Sequence, residues 1–228
     1  MFLIFPKTFI ALMKSISQFF LLAMVALFAV ACSQAPKGEK VEGTDAKKVD
    51  SAAVTAATVK DVQVDVAASK IEWLGTKVGG QHNGDLKIKS GSIKVDGGKI
   101  VGGSFILDMA SITVLDLKDK MKADLEKHLK DGDFFETNKF PEGKFEITAV
   151  KEEKKDGSTH VVEGNLTLKG VTKGVSIPAN VTVDANGAVT ATTPQFVIDR
   201  QQFGITYKGM KDTPINDGMG IKITLSAK

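Results

Sequence analysis

The stretch GKFEITA, residues 143–149, sets Phe145, Ile147 and Ala149 on one side of the chain and Lys144, Glu146 and Thr148 on the other. A period of two is that of a β-strand with one face buried and one in water. The same step recurs before it, at Ile71 and Trp73, Leu86 and Ile88, Ile93 and Val95, and Phe105, Leu107 and Met109. It recurs after it at Leu166 and Leu168, Val181 and Val183, Phe196 and Ile198, and Ile221, Ile223 and Leu225. Gly, Asp and Asn punctuate these runs, as they do where antiparallel strands are joined by tight turns. One stretch breaks the rhythm. In LDLKDKMKADLEKHLKDGD, residues 115–133, Leu117, Met121, Leu125 and Leu129 recur at every fourth position, which predicts a single amphipathic helix stopped near Gly132.

Short antiparallel strands in this number must hide their edges, and closing into a barrel removes edges altogether. The fold class read from the sequence is therefore all-β with one short amphipathic helix, arranged as an antiparallel β-barrel. A barrel of about eight strands either fills its interior with side chains or holds one small ligand. Periodicity alone favours the filled core.

With 43% hydrophobic and 25% charged residues the chain has the mix of a globular protein, which excludes disorder throughout. The net charge of +3 includes Lys7 and Lys14 of an N-terminal leader, so the remainder carries only +1. Arg200 is the only Arg, and Lys alternates with Asp and Glu. The basic stripe of a nucleic-acid binder is absent.

Residues 19–31, FFLLAMVALFAVA, follow Lys14 and have the length and polarity of a signal-peptide core. They fall short of the ~20 apolar residues that span a bilayer. A start at Met13 gives the more ordinary order of charge then apolar run. Small residues at Ala29 and Ala31 followed by Cys32 resemble the bacterial lipobox, although Ala29 stands where such boxes usually carry Leu. Residues 1–31 accordingly read as a lipoprotein signal peptide, and Cys32 as the site of lipid attachment. The alternative is ordinary cleavage that leaves Cys32 a free thiol. Ser33, in place of Asp, directs the reading to the outer membrane, facing the periplasm of a bacterial envelope. Residues 32–61 mix small, charged and Pro/Gly positions without a period and read as the acylated Cys and a flexible tether; the folded domain is residues 62–228.

Several segments in order resemble the YceI-like family of exported bacterial proteins. They are Trp73-Leu74-Gly75-Thr76-Lys77 with Gly80, His82 and Gly84; HLKDGDFFETNKFPEGKFEI, residues 128–147; Gly164 to Lys173 leading to Pro178; Phe196 to Arg200 with Phe203-Gly204; and the strand from Asp217 to Leu225. The resemblance covers about residues 62–228. It implies a lipocalin-like barrel whose interior holds a polyisoprenoid chain, such as a prenylquinone or another long-chain lipid, with no cofactor and no catalytic residues. Phe105, Leu107, Met109, Leu125, Phe134, Phe135, Phe145, Ile147, Leu166, Leu168, Phe196 and Ile198 are then the apolar lining of a ligand site. Phe134, Phe135 and Phe140 are expected to pack the helix onto a barrel mouth as a mobile lid.

The remaining chemistry is sparse. His82 sits in a Gly-flanked turn, His128 on the helix and His160 in a polar hairpin, and only Asp124 and His128 share a helical spacing, so no metal site is read. Asp199 and Arg200 are adjacent on a strand and are expected to face opposite ways. Arg200 then either forms an ion pair or contacts the ligand's head group. No Ser-His-Asp or Cys-His order with supporting context appears, so the reading is of a binding protein and not an enzyme. The competing reading is a non-catalytic envelope interaction protein with a filled barrel. The oligomeric state is open, a homodimer included.

Overall fold

Bulges and glycines, added to simple alternation, bend these strands into a cylinder. The computed structural model describes residues 34–49, 58–155 and 157–228. Strands β1 (Glu39–Val41), β2 (Lys60–Gln63), β3 (Lys70–Lys77), β4 (Gly80–Asp96) and β5 (Lys99–Val114) lead to helix α1 (Asp119–Lys130). After it come β6 (Glu142–Lys155), β7 (Ser158–Leu168), β8 (Val171–Val183), β9 (Val189–Thr192), β10 (Phe196–Asp199), a 3-10 turn (Arg200–Phe203), β11 (Gly209–Met210) and β12 (Thr213–Ala227). Neighbours pair antiparallel from β3 through β9, and β12 closes the ring by pairing with β9 and β3. The all-β, closed antiparallel barrel with one helix is the architecture expected from the sequence.

The strands are longer than alternation suggests. Leu86/Ile88 and Ile93/Val95, read as two strands, lie on the single strand β4, whose pairing with β5 shifts register between Ile88 and Ser90. A bulge moves the inward face by one residue, so the apolar positions change from even to odd numbers. At Gly91 a Cβ would stand 2.9 Å from the Phe105 ring and from the Ser104 carbonyl, so the bend requires glycine.

Helix α1 lies over one end of the barrel. Leu129 is buried and Leu125 half-buried, but Met121 is 66% exposed, so the predicted apolar stripe runs off the barrel edge at its first turn. Glu126 fixes the helix: its Oε1 accepts from the Thr113 hydroxyl at 2.6 Å and the Val114 N–H at 2.9 Å, at the end of β5.

The segment expected to be a flexible tether is instead docked over residues 34–49. β1 pairs in parallel with β10, from Glu39 opposite Phe196 to Val41 opposite Ile198. Thr44 and Gly174 of β8 exchange backbone hydrogen bonds of 2.8 and 3.0 Å, and the Asn165 side-chain amide accepts from the Lys47 N–H at 2.8 Å and donates to the Lys47 carbonyl at 2.7 Å. Pro36 is buried, against Gly218 and Gly220, and Val41, 4% exposed, joins the main core. Burial of these two side chains and the unpaired rim of β10 explain why a polar sequence becomes ordered. The strap fills a gap in the wall, because β8 pairs with β9 only from Asn180 to Val183 and β10 pairs with β12 instead of β8. The folded part therefore begins well before Val62. Cys32, the leader and residues 50–57 lie outside the described residues, and the signal-peptide and acylation readings fall there.

Both apolar clusters and all the pairings of the barrel lie within residues 34–228, which so carry their own core. Among the described residues no helix is long and apolar enough to cross a membrane.

Candidate ligand tunnel

The inward positions of the barrel do not meet across its axis. They leave a cavity of about 280 Å³ whose wall is almost wholly apolar. It runs from Lys77, His82, Ile215 and Asn216 at the helix end to Val150, Val181 and Val189 at the other. On β4 alone both His82 and Ile93 line it. At ~3.3 Å per residue and a strand tilt of about 40°, that span is roughly 28 Å along the axis. An extended chain advances about 1.2 Å per bond, so ~28 Å corresponds to about twenty-three chain atoms.

Two aromatic rings keep the tunnel open by lying against its wall. The Trp73 indole lies over Gly84, where a Cβ would stand 2.6 Å from the ring. Phe145 lies over Gly164, where it would stand 2.4 Å away. Phe105 and Phe145 stack with centroids 6.1 Å apart where the two apolar clusters meet. Every apolar residue named from the sequence as ligand lining, from Phe105 to Ile198, is in the tunnel wall. Leu125, Phe134 and Phe135 reach it from the helix and the loop after it. Phe140 does not; it packs on the β7–β8 turn at Gly170. His128, Phe134 and Tyr207 form one cluster of rings, the His128 centroid 5.0 Å from each of the other two and those two 5.4 Å apart. Sequence reading missed the tunnel face of β8, Ile177 and Ala179, because Pro178 between them demotes a strand in any propensity argument. It also missed Trp73, whose indole nitrogen is buried without a hydrogen-bond partner.

The polar part of the wall is concentrated at the helix end, in Thr76, Lys77, His82, Arg200 and Asn216. Arg200 is not on a strand as expected; β10 ends at Asp199, whose carboxylate caps the 3-10 turn that Arg200 begins. The Arg200 side chain is 2% exposed. Its guanidinium donates to the Asn216 carbonyl at 3.1 Å, the Ile205 carbonyl at 2.6 Å and the Asp217 carboxylate at 2.9 Å. Burial lowers its pKa from the ordinary arginine value, and Asp217 and Asp199 oppose that shift. Three bonds leave part of a five-donor fork unspent.

The histidines are dispersed. His82 is on β4 and not in a turn, with Nδ1 2.8 Å from the Asp116 carboxylate. His128 Nε2 lies 3.1 Å from Asp133, and Asp124 bonds Lys120 instead. Among the described residues no three His, Cys, Asp or Glu side chains group as metal ligands.

Comparison with known proteins follows the same outline. A family model described as the YceI-like domain matches residues 62–227. The UPF0312 protein plu2095 of Photorhabdus laumondii is 48% identical over 63 residues, 28% of this chain and 31% of that protein. Protein YceI of Shigella flexneri is 43% identical over 63 residues, again 28% and 31%. These alignments thus span about a third of the length of the curated relatives. Among solved structures, Burkholderia cenocepacia BcnA is similar with a TM-score of 0.56 at 24% identity, covering 72% of this chain and 99% of that one. A polyisoprenoid binding domain from Saccharophagus degradans, implicated in plant cell wall breakdown, gives 0.54 at 13% identity, covering 73% and 97%. At these identities the two structures show a shared fold.

Proposed function

The chain belongs to the YceI-like family, and from that premise we propose that it is a non-catalytic carrier that holds one long-chain amphiphile, a polyisoprenoid or prenylquinone, inside its barrel. The observation that carries the reading is the apolar tunnel itself, long enough by the strand geometry above for a slender chain of about twenty atoms. Burying each methylene of such a chain contributes about 0.8 kcal/mol, so a tail alone supports tight binding without catalytic or metal chemistry. The polyisoprenoid binding domain of Saccharophagus degradans, which shares the fold, is consistent with this ligand class. In this reading the head group lies at the helix end beside Arg200, Thr76 and Asn216, and the tail points toward Val150 and Val181. We further propose that Cys32 carries an acyl anchor that holds the protein at the outer membrane, facing the periplasm.

The test is native mass spectrometry of residues 34–228 made in a bacterium, with extraction of whatever is bound. A stoichiometric long-chain isoprenoid is expected. An empty protein that also takes up no added prenyl alcohol or prenylquinone would overturn the carrier reading in favour of an envelope interaction protein.

A further inference from the structure

Five large apolar side chains are exposed among the described residues, and four of them, Val78, Leu115, Met121 and Met210, are at the helix end of the barrel. Val78 is in the β3–β4 turn, Leu115 follows β5, Met121 is on the first turns of α1, and Met210 is in the β11–β12 hairpin. Backbone hydrogen bonds hold three of these tips close to the mouth: Val78 N–H donates to the Pro214 carbonyl at the start of β12, and Leu115 N–H to the Asn83 carbonyl of β4. The four tips so form an arc beside the tunnel mouth, where Lys77, His82 and Ile215 line the cavity. The fifth, Val66, next to Asp65, is the only exposed large apolar side chain at the opposite end among the described residues.

Lysines flank each tip. Lys77 precedes Val78, Lys118 follows Leu115, Lys120 and Lys122 bracket Met121, and Lys208 and Lys211 bracket Met210. Lys120 and Lys122 pair along the helix with Asp124 and Glu126. The other four lysines make no salt bridge among the described residues; of the nearby acids, Asp116 is held by His82, which leaves Asp119 and Asp212 beside them. Apolar tips on separate loops, ringed by lysines, suit a fluid surface better than a shaped protein partner. The tips enter the acyl boundary while the lysines meet anionic head groups.

We infer that the helix-end mouth docks on an anionic lipid bilayer, so that the ligand passes between bilayer and tunnel without crossing water. The inference rests on the carrier reading and adds to it a direction and a surface. Apolar side chains exposed at the opening of an apolar tunnel are what such transfer requires.

The experiment uses residues 34–228, vesicles of phosphatidylcholine with and without phosphatidylglycerol, and a C20 prenyl alcohol as the probe. Wild type is expected to sediment with anionic vesicles and to lose this with added salt. The double variant Met121→Asp, Met210→Asp is expected to bind them at least about tenfold more weakly, and Val66→Asp, at the far end, to bind as wild type does. Transfer of the probe from vesicles should slow in parallel in the double variant, while uptake from ethanol stays unchanged. Wild type that ignores anionic vesicles, a double variant that binds them normally, or a rim that instead drives self-association would each overturn the docking. Failure of every variant to take up the probe from ethanol would overturn the carrier reading itself, which separates the two failures.

Discussion

Ala179 is 2% exposed on β8 and lines the tunnel near its far end, opposite His160 of β7. Replacing it with Phe puts a ring of six carbons into space that, in the carrier reading, the ligand tail occupies. An isoprene unit has five carbons, and at about 0.8 kcal/mol per buried carbon its exclusion costs up to ~4 kcal/mol, close to 10³-fold in affinity. The loss falls only on tails long enough to reach the site. Trp73, the single tryptophan and part of the tunnel wall, allows a fluorescence titration with prenyl alcohols from C10 to C30. Wild-type affinity is expected to climb with each unit until about twenty-three chain atoms are housed and then to level. Ala179→Phe should level one unit sooner and bind the C10 alcohol as wild type does. Equal affinities for all lengths would refute the argument. So would a fall of about 1–3 kcal/mol in the stability of the ligand-free variant, the sign of a ring forced into a filled core.

Three other expectations follow from the same geometry. Glu126→Ala removes the acceptor of the Thr113 hydroxyl and the Val114 N–H, at a cost of about 1–2 kcal/mol, and should raise amide exchange across α1 about tenfold while leaving the strands protected. Since the Thr113 hydrogen bond, aided by Val114, holds the Glu126 carboxyl below its ordinary value, its contribution is complete above the unfolded pKa of about 4.3 and is lost as pH falls through the lower folded value. Exchange in α1 should therefore rise in wild type below about pH 4 and show no such step in Glu126→Gln. Asn165→Ala deletes both bonds to Lys47; at about 1 kcal/mol each, the Thr44 and Lys47 amides should exchange roughly thirtyfold faster. Unchanged exchange there would mean that the strap opens only when the whole barrel does. Arg200→Met removes the guanidinium bonds to the Ile205 and Asn216 carbonyls and to the Asp217 carboxylate, and urea unfolding should show a loss of about 3 kcal/mol.

Alternation made much of the barrel legible where large inward residues alternate with polar outward ones, as from Lys144 to Ile147 of β6 and from Asn165 to Leu168 of β7. Legibility failed where the backbone changed phase. The bulge near Ile88 split β4 into two apparent strands, and β5 changes phase after Met109, so that Ile112 and Val114, both buried, fell out of step with the run from Phe105 to Met109. Pro178 hid the tunnel face of β8 for a different reason: its missing N–H is tolerated beside Val161, yet counts against a strand in any local argument. The strap was hidden most completely. Its order comes from Pro36 and Val41 meeting glycines and an open wall more than 130 residues away in sequence, and no local pattern in a polar segment encodes such a partner. Arg200 was legible as an ion pair but not as the brace of a turn, because two of its three acceptors are backbone carbonyls.

A tunnel removes from the barrel the dispersion contacts that a packed centre would supply, so the wall must hold itself together. The closed ladder does this for most of the circumference, and where the ladder fails, between β8 and β10, the strap supplies the missing pairing and places Val41 in the core. The segment lies before the residues matched by the family model, 62–227, so wall closure here depends on chain outside the shared domain. A ligand that fills the tunnel restores interior contacts that neither the wall nor the strap can provide. At a free concentration of a hundred times Kd it adds about 2.7 kcal/mol, a sizeable part of the 5–15 kcal/mol by which folded proteins are usually stable. In the carrier reading the hydrocarbon tail is the missing core, and loading and stability rise together.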